Sequence, residues 1–253
     1  MRFAKAHGLG NDFILVESFS SPFLPTSEFA RAACHRQLGI GADGLLTLSP
    51  SDKADFKMTV HNSDGTTALM CGNGIRCAAL AAKTWRLAEG PVWRVETESG
   101  VYAVEERDGQ FRVDMGLPTV ERREDGWLAK VGNLHWVWLE HRADFETEAP
   151  VKAREHQANA HEAVFVEPFR LRVRTFELGA GFTQACGTGA CASVAAWIRS
   201  GGEPGEYQVD LPGGSLLIEQ NGRGSIYMTG PAVIAYLGSL NSDFRAQRIT
   251  ASL

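Results

Sequence analysis

Two glycine-bearing turns, each opened by a cysteine and each leading into an alanine-rich stretch, recur 115 positions apart in a chain of 253 residues. The segments are Cys71-Gly72-Asn73-Gly74-Ile75-Arg76 and Cys186-Gly187-Thr188-Gly189-Ala190-Cys191. Behind the first, Ile75, Ala78, Ala79 and Ala82 fall at helical i, i+3, i+4, i+7 spacing, and behind the second Ala190, Ser193, Val194 and Trp197 do the same. A second echo, Met115-Gly116-Leu117-Pro118 against Met228-Thr229-Gly230-Pro231, comes at an offset of 113. Nearly equal offsets predict a duplicated chain. The expected halves are 1–118, carrying Cys71, and 119–253, carrying Cys186, with the last strand free to return to the first half.

Strand-length apolar runs surround both turns. In the first half they are Phe3 to His7, Phe13 to Val16, Leu45 to Leu48, Phe56 to His61, Val92 to Thr97, Tyr102 to Glu105 and Phe111 to Met115. In the second they are Arg172 to Phe176, Gln208 to Leu211, Leu216 to Glu219 and Ser225 to Met228. A helix is expected from the caps Thr26 and Ser27 to a stop at Gly39. Between Asp144 and Pro168 no register is evident. The pattern predicts an α+β (mixed α/β) fold of two pseudo-symmetric domains, each a mostly antiparallel sheet or barrel wrapped around a central helix.

A net charge of −5 without a lysine/arginine block speaks against nucleic acid as a partner. No apolar run is long enough for a membrane span, and the start Met1-Arg2-Phe3-Ala4-Lys5-Ala6-His7 lacks the apolar core of a signal peptide, so a cytoplasmic protein with no membrane partner is expected. Five cysteines, odd in number, are expected as reduced thiols. With no CxxC or HExxH spacing, no metal is expected.

A thiol at a helix start lies beside unpaired N–H groups and the positive end of the dipole, which favours thiolate. Two such helix starts facing one another would hold a small carboxylate on the backbone N–H groups of Gly72 to Gly74 and Gly187 to Gly189. The carbon next to that carboxylate would lie between Cys71 and Cys186. A thiolate on one side can remove its proton while a thiol on the other returns one to the opposite face, and the converging dipoles bind the enolate-like intermediate more strongly than the ground state. No cofactor is needed, and no lysine for a pyridoxal Schiff base lies in either cysteine segment. Cys34, Cys77 and Cys191 do not superpose under the shift and are expected to pack, as are Trp136, Trp138 and Trp197.

Asn11 in His7-Gly8-Leu9-Gly10-Asn11-Asp12-Phe13, Asn62 in His61-Asn62-Ser63-Asp64-Gly65, the first cysteine turn, Gly132-Asn133-Leu134-His135, Glu177 ahead of Thr183-Gln184-Ala185-Cys186-Gly187-Thr188-Gly189, and Met228-Thr229-Gly230-Pro231 together resemble diaminopimelate epimerase over almost the whole chain. The resemblance implies a cofactor-independent, two-cysteine epimerase of an amino-acid substrate in lysine and peptidoglycan precursor synthesis, often a homodimer. It matches Cys71 and Cys186 to the catalytic pair. Asn11, Asn62, Gly72, Asn73, Asn133, Glu177, Gly187 and Thr188 match substrate-binding positions, and His135 a supporting one. Gly44, Asn159, Glu162 and Leu178 stand at the margin of the set. Asn159 and Glu162 compete for one expected amide. Leu178 stands where the resemblance implies an arginine gripping the substrate's distal carboxylate, a loss of roughly 3–5 kcal/mol unless Arg172 or Arg174 compensates. Two further readings therefore stay open: racemisation of an amino acid with a neutral or aromatic side chain, such as histidine, and a catalytically silent amino-acid binder.

Overall fold

The computed structural model describes residues 1–20, 22–222, 224–241 and 244; the end of the expected second half lies outside them. The first half runs β1 (Arg2–Gly8), β2 (Asn11–Glu17), α1 (Ser27–Cys34), β3 (Gly44–Ser49), β4 (Phe56–Asn62), β5 (Thr67–Ala68), α2 (Gly72–Trp85), β6 (Val92–Thr97), β7 (Gly100–Arg107), β8 (Gln110–Asp114) and β9 (Thr119–Arg122). The second runs β10 (Trp127–Val131), β11 (Asn133–Trp138), α3 (Phe145–His156), β12 (Asn159–Glu167), β13 (Arg170–Glu177), β14 (Gly181–Phe182), α4 (Gly187–Arg199), β15 (Gly205–Leu211), β16 (Gly214–Gln220), β17 (Ile226–Gly230) and β18 (Val233–Ser239).

The order repeats element for element, each strand finding its counterpart nine strands later. Parallel pairs occur at matching places: β2 with β3 across α1, β4 with β6 across α2, β11 with β12 across α3, and β13 with β15 across α4. The counterparts β9 and β18 exchange places. β9 pairs with β10 and β18 with β1, while β8 pairs with β17, so the two halves are stitched by three ladders.

α2 is buried from Gly72 through Ala79 and α4 from Gly187 through Ala196. A helix enclosed on all sides cannot be amphipathic, and alanine is what lets strands close around it. Larger groups such as Trp93, Phe111 and Tyr207 fill the space between helix and sheet. Alternation then sorts β11: His135 and Val137 face α4, whereas Trp136 and Trp138 face away and pack with Phe145, Ala149 and Ala153 of α3. Trp136 and Trp138 are thus core residues, and Trp197 stacks on Phe165 with ring centroids 4.9 Å apart.

Two elements depart from the sequence expectation. α1 is capped by Thr26, whose hydroxyl accepts from Phe29 N, but it stops at Cys34 instead of Gly39. There the chain folds back, with Ile40 and Gly41 N–H donating to Ala33 O, and a Cβ on Gly39 would come within 2.1 Å of Ala32 O. The stretch without evident register holds α3, which carries Pro150 in its interior, and the whole of β12. Among the described residues no helix is long and apolar enough to cross a membrane.

Candidate active site

The two cysteine turns fold alike and meet. Cys71 is the N-cap of α2 with φ −136° and ψ 113°, and Cys186 is the N-cap of α4 with φ −123° and ψ 104°. A Cβ on Gly72 would sit 3.1 Å from Thr188 N, and one on Gly187 would sit 3.4 Å from the Gly72 carbonyl carbon and 2.7 Å from Met228 Sδ. Glycine at these positions permits the close approach. Two positive helix ends therefore converge on one place, an arrangement that favours an anion between them.

Buried polar side chains fix the first turn. Asn73 Nδ2 donates to Ala185 O at 2.8 Å and to Asn11 Oδ1 at 3.2 Å, and that Asn11 oxygen lies 4.0 Å from Cys71 Sγ. Asn11 Nδ2 donates to Asp43 Oδ2 at 3.0 Å. The fully buried Arg76 guanidinium donates to Asn73 Oδ1, Gly72 O and Pro231 O. It thereby ties α2 to the segment joining β17 and β18. Asn133 Nδ2 donates to Met70 O at 3.0 Å, bracing the residue before Cys71.

Cys186 is enclosed more fully. Its sulfur lies 3.6 Å from Thr188 Oγ1 and close enough to the Glu177 carboxylate to feel its charge, and that carboxylate accepts from Thr183 Oγ1 at 2.6 Å. Burial pushes the Glu177 carboxyl upward. A ring nitrogen of His135, a ring nitrogen of His161 and the Cys186 sulfur lie within 4.8 Å of one another. Those are ligand atoms for a soft metal, yet His135 Nδ1 and His161 Nε2 already face each other at 2.9 Å, a hydrogen bond.

The expectation of a resting thiolate is corrected by the site itself. Burial pushes the Cys71 thiol up to about 12 and the Cys186 thiol well above its ordinary value, and the nearby Glu177 charge adds to both. Helix-start N–H groups of Asn73 and Gly74 act the other way on Cys71, and do not overcome the loss of water. Cys71 keeps part of its surface open, so burial holds it less completely than Cys186. The charge of Cys71 is felt at Cys186, where it opposes a second ionisation.

The marginal residues separate clearly. Along β13, Val173, Thr175 and Glu177 point toward α4, whereas Arg172 and Arg174 take the other face. Arg174 is held there by Glu162 and Glu146. Glu162 is 4% exposed, bonded to Arg174 and to Arg142 N, and does not enter the site. Both arginines thus lie on the face of β13 away from the cysteine turns. Asn159 shares the inward face of β12 with His161, and its Oδ1 accepts from Leu178 N at 2.9 Å. Leu178 and Phe182 remain exposed at this side. Asn62 Nδ2 donates to Thr66 Oγ1, and Gly44 allows the close approach of His61 O, where a Cβ would sit 2.9 Å away. Sequence reasoning passed over Arg76, Asp43, Thr175 and His161; only strand alternation with the register of β11 against β12 would have singled out His161.

The family model described as diaminopimelate epimerase matches residues 3–121 and 132–235. The chain is 36% identical over 283 residues to a diaminopimelate epimerase of Desulfitobacterium hafniense, covering 96% of this chain and 99% of that one. It is 39% identical over 268 residues to the diaminopimelate epimerase of Desulforudis audaxviator, covering 92% and 96%. In fold it is similar to a probable proline racemase from Agrobacterium radiobacter K84, with a TM-score of 0.75 at 14% identity over 96% of this chain and 93% of that one.

Proposed function

Since the chain belongs to the diaminopimelate epimerase family, we propose that it interconverts LL- and meso-diaminopimelate by cofactor-independent 1,1-proton transfer between Cys71 and Cys186. The observation that carries this is the abutting pair of cysteine-capped helix starts. The substrate's α-carboxylate binds the N–H groups at Gly72, Asn73, Gly187 and Thr188. One thiol first gives up its proton to solvent, and the resulting thiolate takes the α-hydrogen as a proton. The C–H electron pair passes into the carboxylate as an enolate-like dianion, which the two helix ends stabilise. The other sulfur, as thiol, gives its proton to the opposite face and becomes the thiolate for the reverse turnover. Burial serves this step, because a thiolate whose conjugate acid lies near 12 is a stronger base toward a carbon acid than an exposed one near 9.

Leu178 favours a second reading, in which the substrate lacks a distal carboxylate, since Arg172 and Arg174 face away from the site. Incubation of the protein under reducing conditions in deuterium oxide with LL-diaminopimelate, meso-diaminopimelate or histidine distinguishes the two. The expected result is α-deuteration and epimerisation of diaminopimelate, abolished in both Cys71→Ala and Cys186→Ala. Exchange of histidine alone would install the second reading, and no exchange with any amino acid would leave a binder.

A further inference from the structure

We propose that His161, anchored by Thr175, is a positioning residue for the second half-site, holding His135 in a single ring orientation beside Cys186. His161 is completely buried on the inward face of β12, and both of its nitrogens are engaged. Nδ1 meets Thr175 Oγ1 at 3.0 Å, and Nε2 meets His135 Nδ1 at 2.9 Å. A chain of three side chains thus runs from β13 through β12 to β11. His135 Nε2 has no hydrogen-bond partner among the described residues and is buried. An unpartnered buried nitrogen is costly, so a residue present only to fill space would be apolar.

The site is built around the His161 ring. A Cβ on Gly189 would lie 2.1 Å from His161 Cε1, so the second glycine of the Cys186 turn stays bare to receive the imidazole. The ring therefore rests on the very turn that carries the reacting sulfur. Burial depresses both imidazoles, His135 to about 4, so the pair is neutral and the one ring-to-ring bond has a donor and an acceptor. Engagement of His135 Nδ1 by His161 fixes the rotation of the ring, one nitrogen of which lies within 4.8 Å of the Cys186 sulfur. The titratable groups facing this sulfur are Glu177, His135, His161 and Cys71.

The test rests on the proposed two-thiol reading for its kinetic arm and is independent of it in its chemical arm. His161→Phe keeps a ring and loses both bonds; His161→Gln keeps an amide able to reach His135. Thr175→Val and Thr175→Ser form a second, nearly isosteric pair should His161→Phe fail to fold. Epimerisation of diaminopimelate should fall roughly tenfold to a hundredfold in kcat for His161→Phe and Thr175→Val, with KM within about twofold, and recover substantially in His161→Gln and Thr175→Ser. Without substrate, the pH dependence of iodoacetamide alkylation, mapped by mass spectrometry, should shift further for Cys186 than for Cys71. Wild-type kcat and a wild-type Cys186 profile in folded His161→Phe or Thr175→Val would overturn the proposal, as would equal shifts at both cysteines. A larger shift at Cys186 than at Cys71 in a protein with no epimerase activity would uphold the positioning role and reject the function.

Discussion

Single residues at the meeting of the two turns carry more than their own contacts. Arg76 is a buried cation whose stabilisation comes from hydrogen bonds to Asn73, Gly72 and Pro231 rather than from a carboxylate partner. Arg76→Met removes the charge and leaves those acceptors unpaired, each at about 1–3 kcal/mol. Urea denaturation should show a loss of several kcal/mol, and activity should fall with it because Asn73 is released. Gly189→Ala is the complementary probe. Its methyl would overlap the His161 ring, and a cost of roughly 1–3 kcal/mol is expected in the same measurement. Thr26→Ala, far from the site, should cost about 1 kcal/mol through the lost cap and leave kcat unchanged.

At the scale of elements, the legible part of the fold was the part with strong local pattern. Both cysteine helices, their glycine starts and the strands that flank them follow from spacing and turn residues in the sequence. α3 did not, because Pro150 interrupts the hydrogen-bond ladder and its small buried face of Phe145, Ala149 and Ala153 is defined only by the tryptophans of β11 that it covers. The end of α1 was placed too late because Gly39 packs on the helix terminus from outside instead of capping it. In the site, the two cysteine turns and the close approach of their glycines were legible in the sequence. The choice between Asn159 and Glu162 stayed open in the sequence, and His161 was overlooked, for one reason: a single step along β12 reverses which face a side chain takes. Loss of water at the thiols could not be read from a helix start alone. The exchange of β9 and β18 makes a further expectation at this scale. A chain ending before β18 removes the partner of β1 and should unfold at lower denaturant than the full chain, since one half loses its closing strand.

For the whole molecule, the buried ionisable groups define a window of stability. His135, lowered to about 4, stays neutral in the fold while the unfolded chain takes up a proton below 6.5. The unfolded state binds more protons there, so stability falls as pH drops from 6.5 toward 4, by about 3 kcal/mol for this residue. At the other end, Cys34, Cys71, Cys77 and Cys191 are raised to about 12 from 9.0. Above pH 9 the unfolded chain ionises and the folded one does not, so stability falls again with rising pH. Urea midpoints under reducing conditions should pass through a plateau between roughly 6.5 and 9 and decline on both sides. A midpoint that continued to rise through pH 10 would mean that the thiols ionise within the fold.

In a two-thiol epimerase protons leave and arrive at opposite faces of one carbon, and the isotope content of the earliest product reads this directly. Starting from protiated LL-diaminopimelate in deuterium oxide and stopping at a few per cent conversion, mass spectrometry should find meso product carrying one solvent deuterium at the inverted centre while recovered substrate remains protiated. Product that kept its original α-hydrogen, or substrate that washed out before any product appeared, would point to a single base and contradict the pairing of Cys71 with Cys186.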